Sequence, residues 1–488
     1  MKNIIVLGGG SAGWLTALFC KKIFKSNVKV IESSKIGILG AGEGATPHLI
    51  ALLKELNIDP IRLTKKTKGS IKQGISFENW NGDNKKYFHG FGVKNHLNPF
   101  SVENVFDYSC YFFYLKNLVS KGYDLNKYQY PALLSYKDKI DLDNLNYSLH
   151  FDAHLLADYL KNIGIERGIK LVDGELDTLK TNKDNDIEQV KLKDGSKHKC
   201  DFIFDCTGFA RLLIGKHYKT KWKSYKDYLP MKKAIPFFLE QEKQIKPYTQ
   251  AIAMKYGWMW KIPLQHRFGS GYIYDSDYIN EEQALNEAEK YYNKKLTSPK
   301  VISFEAGRYD KVWVNNCMAV GLSAGFTEPL EATSLYLTSQ QLILIKFFYN
   351  DFFKTIEKNR DMFNDIIANN NDDVLDFLVL HYLTKRKDSK FWKEFKNKNK
   401  IPDSLKNKLD QLQNGMFYFF DFDLKRQNLN FILDSYTVVA DGLKLLNNKN
   451  IKFDENLKPN IIEYKSLIDK EAAEHQTLSQ FLNSSFLH

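Results

Sequence analysis

The sequence predicts an α/β fold with a mostly helical C-terminal cap, and three observations predict it. A strand, a glycine-rich turn, a helix and a second strand occupy residues 1 to 32. Two further apolar runs, Phe202 to Phe204 and Val312 to Val320, end in Asp205-Cys206-Thr207-Gly208 and Gly321-Leu322-Ser323-Ala324-Gly325. Beyond residue 345 strand patterns give way to helical ones, as in Asp372 to Tyr382 and Ile461 to Leu482, continuing a helical run that opens at Leu335 and ends at Phe348.

At the N-terminus, Ile4 to Leu7 run straight into Gly8-Gly9-Gly10-Ser11-Ala12-Gly13. An apolar helix follows from Trp14 to about Phe24, then a strand from Val28 to Ile31 that ends at Glu32. This is G-x-G-x-x-G between a strand and a helix, with an acid about 20 residues on for ribose hydroxyls. Glycines let the backbone approach a pyrophosphate, and the helix N-terminus offers it N–H groups and a positive dipole end. Three strand-to-glycine junctions spread over more than 300 residues suit a two-part FAD fold better than a compact NAD domain. Gly269-Ser270-Gly271 lacks the third glycine and the helix, so no built-in NAD(P)H site is expected. Residues 1–345 are therefore expected to form a Rossmann-like FAD body of the flavin monooxygenase type, and residues 346–488 a helical cap that contributes to the substrate pocket.

Composition narrows the class. The net charge of +12 has much of its excess between Lys385 and Lys400, where lysines alternate with asparagine and aromatics. A solvated helical face explains that run, so nucleic-acid binding is not expected. The first strand begins at the N-terminus and no 18-residue apolar run occurs, so neither a signal peptide nor a membrane span is expected. The five cysteines, 20, 110, 200, 206 and 317, have no CxxC spacing. They predict free thiols in a reducing cytoplasm and no metal site. Oligomeric state is left open, a homo-oligomer included.

The most informative stretch is Gly257-Trp258-Met259-Trp260-Lys261-Ile262-Pro263. Tryptophan makes up only 7 of 488 residues, yet two stand here at i and i+2. On a strand they present both indole rings to one face.

With GGGSAGW at 8–14, GAGEGATP at 40–47, FDAHLLA at 151–157, DCTGF at 205–209, GSGYIY at 269–274 and GLSAGFTEPLEATS at 321–334, this W-x-W-x-I-P element completes a pattern. The chain resembles the flavin-dependent halogenases of the tryptophan-halogenase family, over residues 1 to about 395. The resemblance implies FAD contacts at Gly8, Gly10, Ser11, Ala12, Gly13, Glu32, Gly42, Glu43, Ala45, Gly208, Leu322 and Leu335. It implies a separate flavin reductase that supplies FADH2, with O2 and halide as co-reactants.

In that family, hypohalous acid made beside the flavin is delivered by a lysine at a distance, a positioning task. The matching residue is Lys72, eight residues before Trp80 in Lys72-Gln73-Gly74-Ile75-Ser76-Phe77-Glu78-Asn79-Trp80. Lys65, Lys66 and Lys68 read as surface residues. Glu331 matches the carboxylate that assists transfer and takes the ring proton; Glu328 matches a family residue with no catalytic role. The amides of Thr333 and Ser334 fall where the family binds halide. There the family has Ser-Thr-Gly and this chain has Ala332-Thr333-Ser334, which leaves open chloride, bromide or iodide. His89 and Phe91 match residues that line the indole pocket, and Trp258 and Trp260 stand between substrate and flavin. The lid region, Phe417 to Tyr436, reads as shortened, with Ile432 where a tryptophan is expected. The expected substrate is a small electron-rich aromatic, indole- or phenol-like, rather than free tryptophan. A flavin-dependent aromatic monooxygenase and a non-catalytic FAD-binding redox sensor are the alternatives.

Overall fold

The computed structural model of the chain describes residues 1–37, 43–94, 107–296, 300–349, 352–354, 356–414, 431–451 and 460–485. It divides into two compact units. The first comprises Met1–Lys68, Phe151–Tyr225 and Glu305–Asp372; the second comprises Gly69–His150, Lys226–Phe304 and Asp373–His488.

The first unit is built on a six-stranded sheet in the order Trp313–Val314, Cys317–Ala319, Phe202–Asp205, Asn3–Leu7, Asn27–Glu32, Lys170–Asp173. All neighbours are parallel except the Trp313–Val314 edge. The central strand is apolar on both faces, as a parallel sheet covered on both sides requires. Ile5, Leu7, Ile31, Ile203 and Leu213 share one buried cluster. Helix Ser11–Ile23 packs over the sheet with Trp14 fully buried, and a Cβ on Gly164 would come within 2.7 Å of that indole. Gly164 is therefore glycine to admit Trp14. The run Val312 to Val320, expected as one strand, is a hairpin instead. Asn315 adopts φ +51°, which turns the chain between Trp313–Val314 and Cys317–Ala319; Asn tolerates that conformation.

The second unit contains a seven-stranded sheet ordered Ile302–Ser303, Lys233–Leu239, Phe268–Tyr274, Gly257–Pro263, Thr249–Ala253, Gly74–Glu78, Lys86–Gly90. Its pairings are antiparallel apart from Thr249–Ala253 with Gly74–Glu78. Among the described residues, α-helices Lys390–Lys398, Asp403–Asn414, Leu433–Gly442, Ile461–Glu474 and Leu478–Ser485 follow toward the C-terminus. The last two were expected as one. The chain breaks at His475, and Thr477 starts the second helix by accepting from the Gln480 amide at 3.2 Å. Lys408 is buried between Asp373 (2.7 Å), Asp376 (2.9 Å) and the Tyr436 hydroxyl (3.1 Å), where opposed charges and hydrogen bonds compensate its desolvation.

Among the described residues no helix is long and apolar enough to cross a membrane, and Cys20, Cys200, Cys206 and Cys317 are free thiols.

Candidate active site

Leu7 pairs with Ile31 on one side and Asp205 on the other, so the glycine turn leaves the sheet between two strand ends. That is the switch-point position at which open α/β sheets bind ligands. Gly8 adopts φ +115°, and a Cβ there would stand 2.1 Å from the Cys206 carbonyl oxygen. A Cβ on Gly13 would stand 2.0 Å from the Gly8 oxygen. A Cβ on Gly10 would meet nothing within 4 Å. Gly10 caps helix Ser11–Ile23 without any side-chain acceptor, so the first amides of the helix, those of Ser11, Ala12 and Gly13, have no side-chain cap. A tightly folded turn that ends in uncapped amides fits a pyrophosphate.

Glu32 closes the next strand. Its carboxylate accepts from the Trp14 indole N–H at 3.2 Å and forms an ion pair with Lys161. A Cβ on Gly9 would collide with that carboxylate, so the acid lies directly against the turn. Nothing local in the sequence marks Lys161, which comes from helix Ala153–Glu166 and lies 129 residues from its partner.

The other two glycine junctions converge on the same turn. Asp205, fully buried, accepts from the Thr207 amide (3.1 Å) and hydroxyl (2.7 Å) and from the amides of Leu213 (2.8 Å) and Ile214 (2.9 Å). The carboxylate thereby fixes the loop that carries Gly208, whose φ is +61°. Ser323 donates to the Gly208 carbonyl at 3.3 Å, drawing in the Gly321–Ser323 turn and with it Leu322. Gly321 in turn approaches Ala12, where a Cβ would stand 2.8 Å from the alanine methyl. Ala45 is fully buried and Glu43 opens the short strand Glu43–Gly44; Gly42 lies outside the described residues.

Glu331 is buried in the turn Pro329–Glu331. Ala332 follows at φ +57°, ψ +39°, and begins helix Thr333–Ile345 without a side-chain cap. The amides of Thr333 and Ser334 thus occupy an uncapped helix start, an electropositive place for an anion. The Thr333 hydroxyl is 2.8 Å from that of Thr327 and packs in the interior; Leu335 is buried one residue beyond Ser334. His48, on helix Pro47–Glu55, meets the Tyr336 ring edge-on at 4.6 Å, and burial holds its imidazole down at about 4.

In the second unit, Lys72 ends the strand Ser70–Lys72 and is 0% exposed. Its Nζ stands 5.2 Å from the centre of the Phe91 ring, within reach of a cation–π attraction. Phe91 donates its amide to the Gln73 carbonyl at 3.1 Å, which places it beside the lysine. His89 is buried next to Phe377 (5.3 Å) and Phe431 (6.3 Å), which stack on each other at 3.9 Å. Trp258 and Trp260 lie 6.4 Å apart with ring planes at 65°. Trp258 is fully buried and donates to the Tyr382 hydroxyl at 3.1 Å. Residues 417–430 of the lid region lie outside the described residues. Lys65, Lys66 and Lys68 are exposed.

Comparison with known proteins supplies the family. The tryptophan halogenase family model matches residues 3–457. Tryptophan 6-halogenase SttH of Streptomyces toxytricini is 30% identical over 440 residues, 84% of this chain and 83% of its own. Tryptophan 7-halogenase RebH of Lentzea aerocolonigenes is 30% identical over 442 residues, 85% of this chain and 82% of its own. Among solved structures, the flavin-dependent halogenase BrvH of Brevundimonas sp. BAL3 superposes with a TM-score of 0.87 at 27% identity, covering 99% of both chains. The family model and these relatives agree, and the chain belongs to the tryptophan halogenase family.

Proposed function

We propose that the chain halogenates a small electron-rich aromatic, indole- or phenol-like, with hypohalous acid delivered by Lys72. The observation that carries this reading is the complete burial of Lys72 beside the Phe91 ring. Burying a lysine costs several kcal/mol of hydration, a cost that a surface role does not require. A buried ammonium or amine is suited to hold a small polar oxidant away from water and present it to one carbon.

The residues of the glycine turn, Gly8 to Gly13, would hold the FAD pyrophosphate, and Glu32 the ribose. Reduced FAD, with O2, supplies the oxidising equivalent that turns halide into hypohalous acid. The amides of Thr333 and Ser334 hold the halide, and Glu331 takes the proton that leaves the aromatic carbon. His89 and Phe91 orient the ring, and Trp258 and Trp260 keep it from direct attack at the flavin. A separate flavin reductase supplies FADH2.

The experiment is product mass spectrometry on indoles and phenols with chloride, bromide or iodide, in air, with FAD, NADH and an added flavin reductase. Halogenated product that depends on the reductase is expected, and the chain alone should not consume NADH. Hydroxylated product formed without halide would reassign the chain to aromatic monooxygenation.

A further inference from the structure

The strand that carries Lys72 is only three residues long. So short a strand has few backbone bonds with which to fix a long side chain. A buried side-chain network reinforces it. His150 stands opposite Ser70 on the antiparallel neighbour Ser148–Phe151 and is fully buried. Its Nδ1 lies 2.9 Å from Ser70 Oγ, and its Nε2 lies 2.9 Å from Thr249 Oγ1. Ser70 Oγ is also 2.6 Å from the carbonyl of Pro263, the last residue of the tryptophan strand.

Donor counting fixes the tautomer. A hydroxyl has one hydrogen, and a carbonyl only accepts. Ser70 therefore gives its hydrogen to Pro263 and must accept from His150, so Nδ1 carries the proton. Nε2 is left with its lone pair and accepts from the Thr249 hydroxyl. Burial first, and the charge of Lys72 second, hold the imidazole well below its ordinary range, so no second proton is added. Both ring nitrogens are engaged, which leaves the ring no proton to exchange with the lysine. Ser70 and Lys72, two apart on one strand, share a face. On the other side of the lysine, Gln73 is equally anchored. Its amide donates to Ser135 Oγ and to the Lys139 carbonyl, each at 3.0 Å, and accepts from the Asp141 amide at 2.9 Å.

We propose that His150 is a positioning residue for Lys72. Held as its Nδ1–H tautomer, it ties the lysine strand to Thr249 and, by donating to Ser70, turns the Ser70 hydroxyl to the Pro263 end of the tryptophan strand, and so fixes where Nζ stands. The inference rests on the reading of Lys72 as the residue that delivers halogen.

Three replacements test it in the full-length protein. His150→Asn keeps a donor near the Nδ1 place, His150→Gln moves the amide to the Nε2 place, and His150→Phe keeps the volume and neither bond. Brominated product is counted per FADH2 oxidised in reductase-fed reactions with bromide and indole, phenol or tryptophan. His150→Phe and His150→Gln should lower that ratio about 100-fold, the cost of misplacing a reacting group by roughly an ångström. FAD binding and FADH2 oxidation should be unchanged. His150→Asn should stay within about threefold, having lost one neutral hydrogen bond. Equal losses in the Asn and Phe variants, or a Phe variant as productive as the parent, overturn the proposal. A second readout needs no turnover. Nitrogen NMR of histidine-labelled protein, with His150 identified by its loss in His150→Asn, should show an Nδ1–H ring that does not titrate where ordinary histidines do. An Nε2–H ring, or an ordinary titration, also overturns it. A parent chain that makes no brominated product from any of the three aromatics removes the halogen-delivery reading itself, and the proposal with it.

Discussion

Trp260 lies across Gly271 of the neighbouring antiparallel strand, so closely that a Cβ on Gly271 would stand 2.0 Å from Cη2 of the indole. The second glycine of GSGYIY and the second tryptophan of GWMWKIP, eleven positions apart, are thus one packing unit.

Gly271→Ala should consequently displace the Trp260 ring. Overpacking of this kind costs about 1–3 kcal/mol, and the Ile235 carbonyl, 2.7 Å from the same Cβ, leaves no room for a backbone shift. A lowered Tm together with altered tryptophan fluorescence is the expected result; an unchanged emission spectrum would mean the ring has not moved.

Lys72→Ala should abolish halogenated product while FADH2 oxidation by O2 continues, because the residue acts on the oxidant after it has formed. Lys72→Met keeps the volume and removes the amine, and should lose product equally. Product from either variant at the parent rate would refute the role given to the lysine.

Ala332→Gly should stabilise the chain. An alanine held at φ +57° costs about 1–2 kcal/mol, and the entropy that glycine adds to the unfolded chain returns about 0.5–1 kcal/mol of that gain. A rise in Tm corresponding to about 0.5–1 kcal/mol is expected from thermal unfolding. A fall would show that the methyl group makes contacts worth more than the strain.

His48 supplies a pH dependence. Its folded pKa of about 4 lies below the ordinary 6.5 because burial penalises the cation. The unfolded chain therefore takes up the proton first, and stability is lost as pH falls from 6.5 towards 4. At about pH 5 the loss amounts to about 2 kcal/mol. His48→Phe, which preserves a ring against Tyr336, should show a smaller drop in Tm between about pH 7 and pH 5 than the parent. Equal drops would place the acid sensitivity elsewhere.

What was legible in the sequence was what local geometry demands. Gly8 and Gly13 are glycines because a carbonyl oxygen occupies the space of each Cβ, and that demand falls within six residues. The tryptophan pair was legible because strand alternation alone puts i and i+2 on one face. The hairpin at Asn315 was not, since a two-residue asparagine turn inside an apolar run reads like continuous strand. His150 and Lys161 were illegible for a different reason. Each takes its meaning from a partner 80 or 129 residues away, and neither stands in a pattern that periodicity reveals. Gly271 belongs to a visible motif, GSGYIY, but its close contact with Trp260 follows only from strand register.

The unit that carries the glycine turn is assembled from three separated stretches. Asn3–Leu7 is translated first, yet its partner Phe202–Asp205 and the neighbouring Cys317–Ala319 are made far later. At ribosomal speeds of about 5–20 residues per second, some 300 residues take about 15–60 s. Asn27–Glu32 is made soon after and can pair on one side, but until Phe202–Asp205 is made Ile4, Ile5 and Val6, all buried at the end, lack the strand that closes the other side. The nascent chain is a two-stranded parallel pair waiting for the rest of its sheet, the slow and aggregation-exposed class of pairing. Recovery of folded protein should therefore respond to translation rate and chaperone supply, and a fragment ending before residue 317 should not fold.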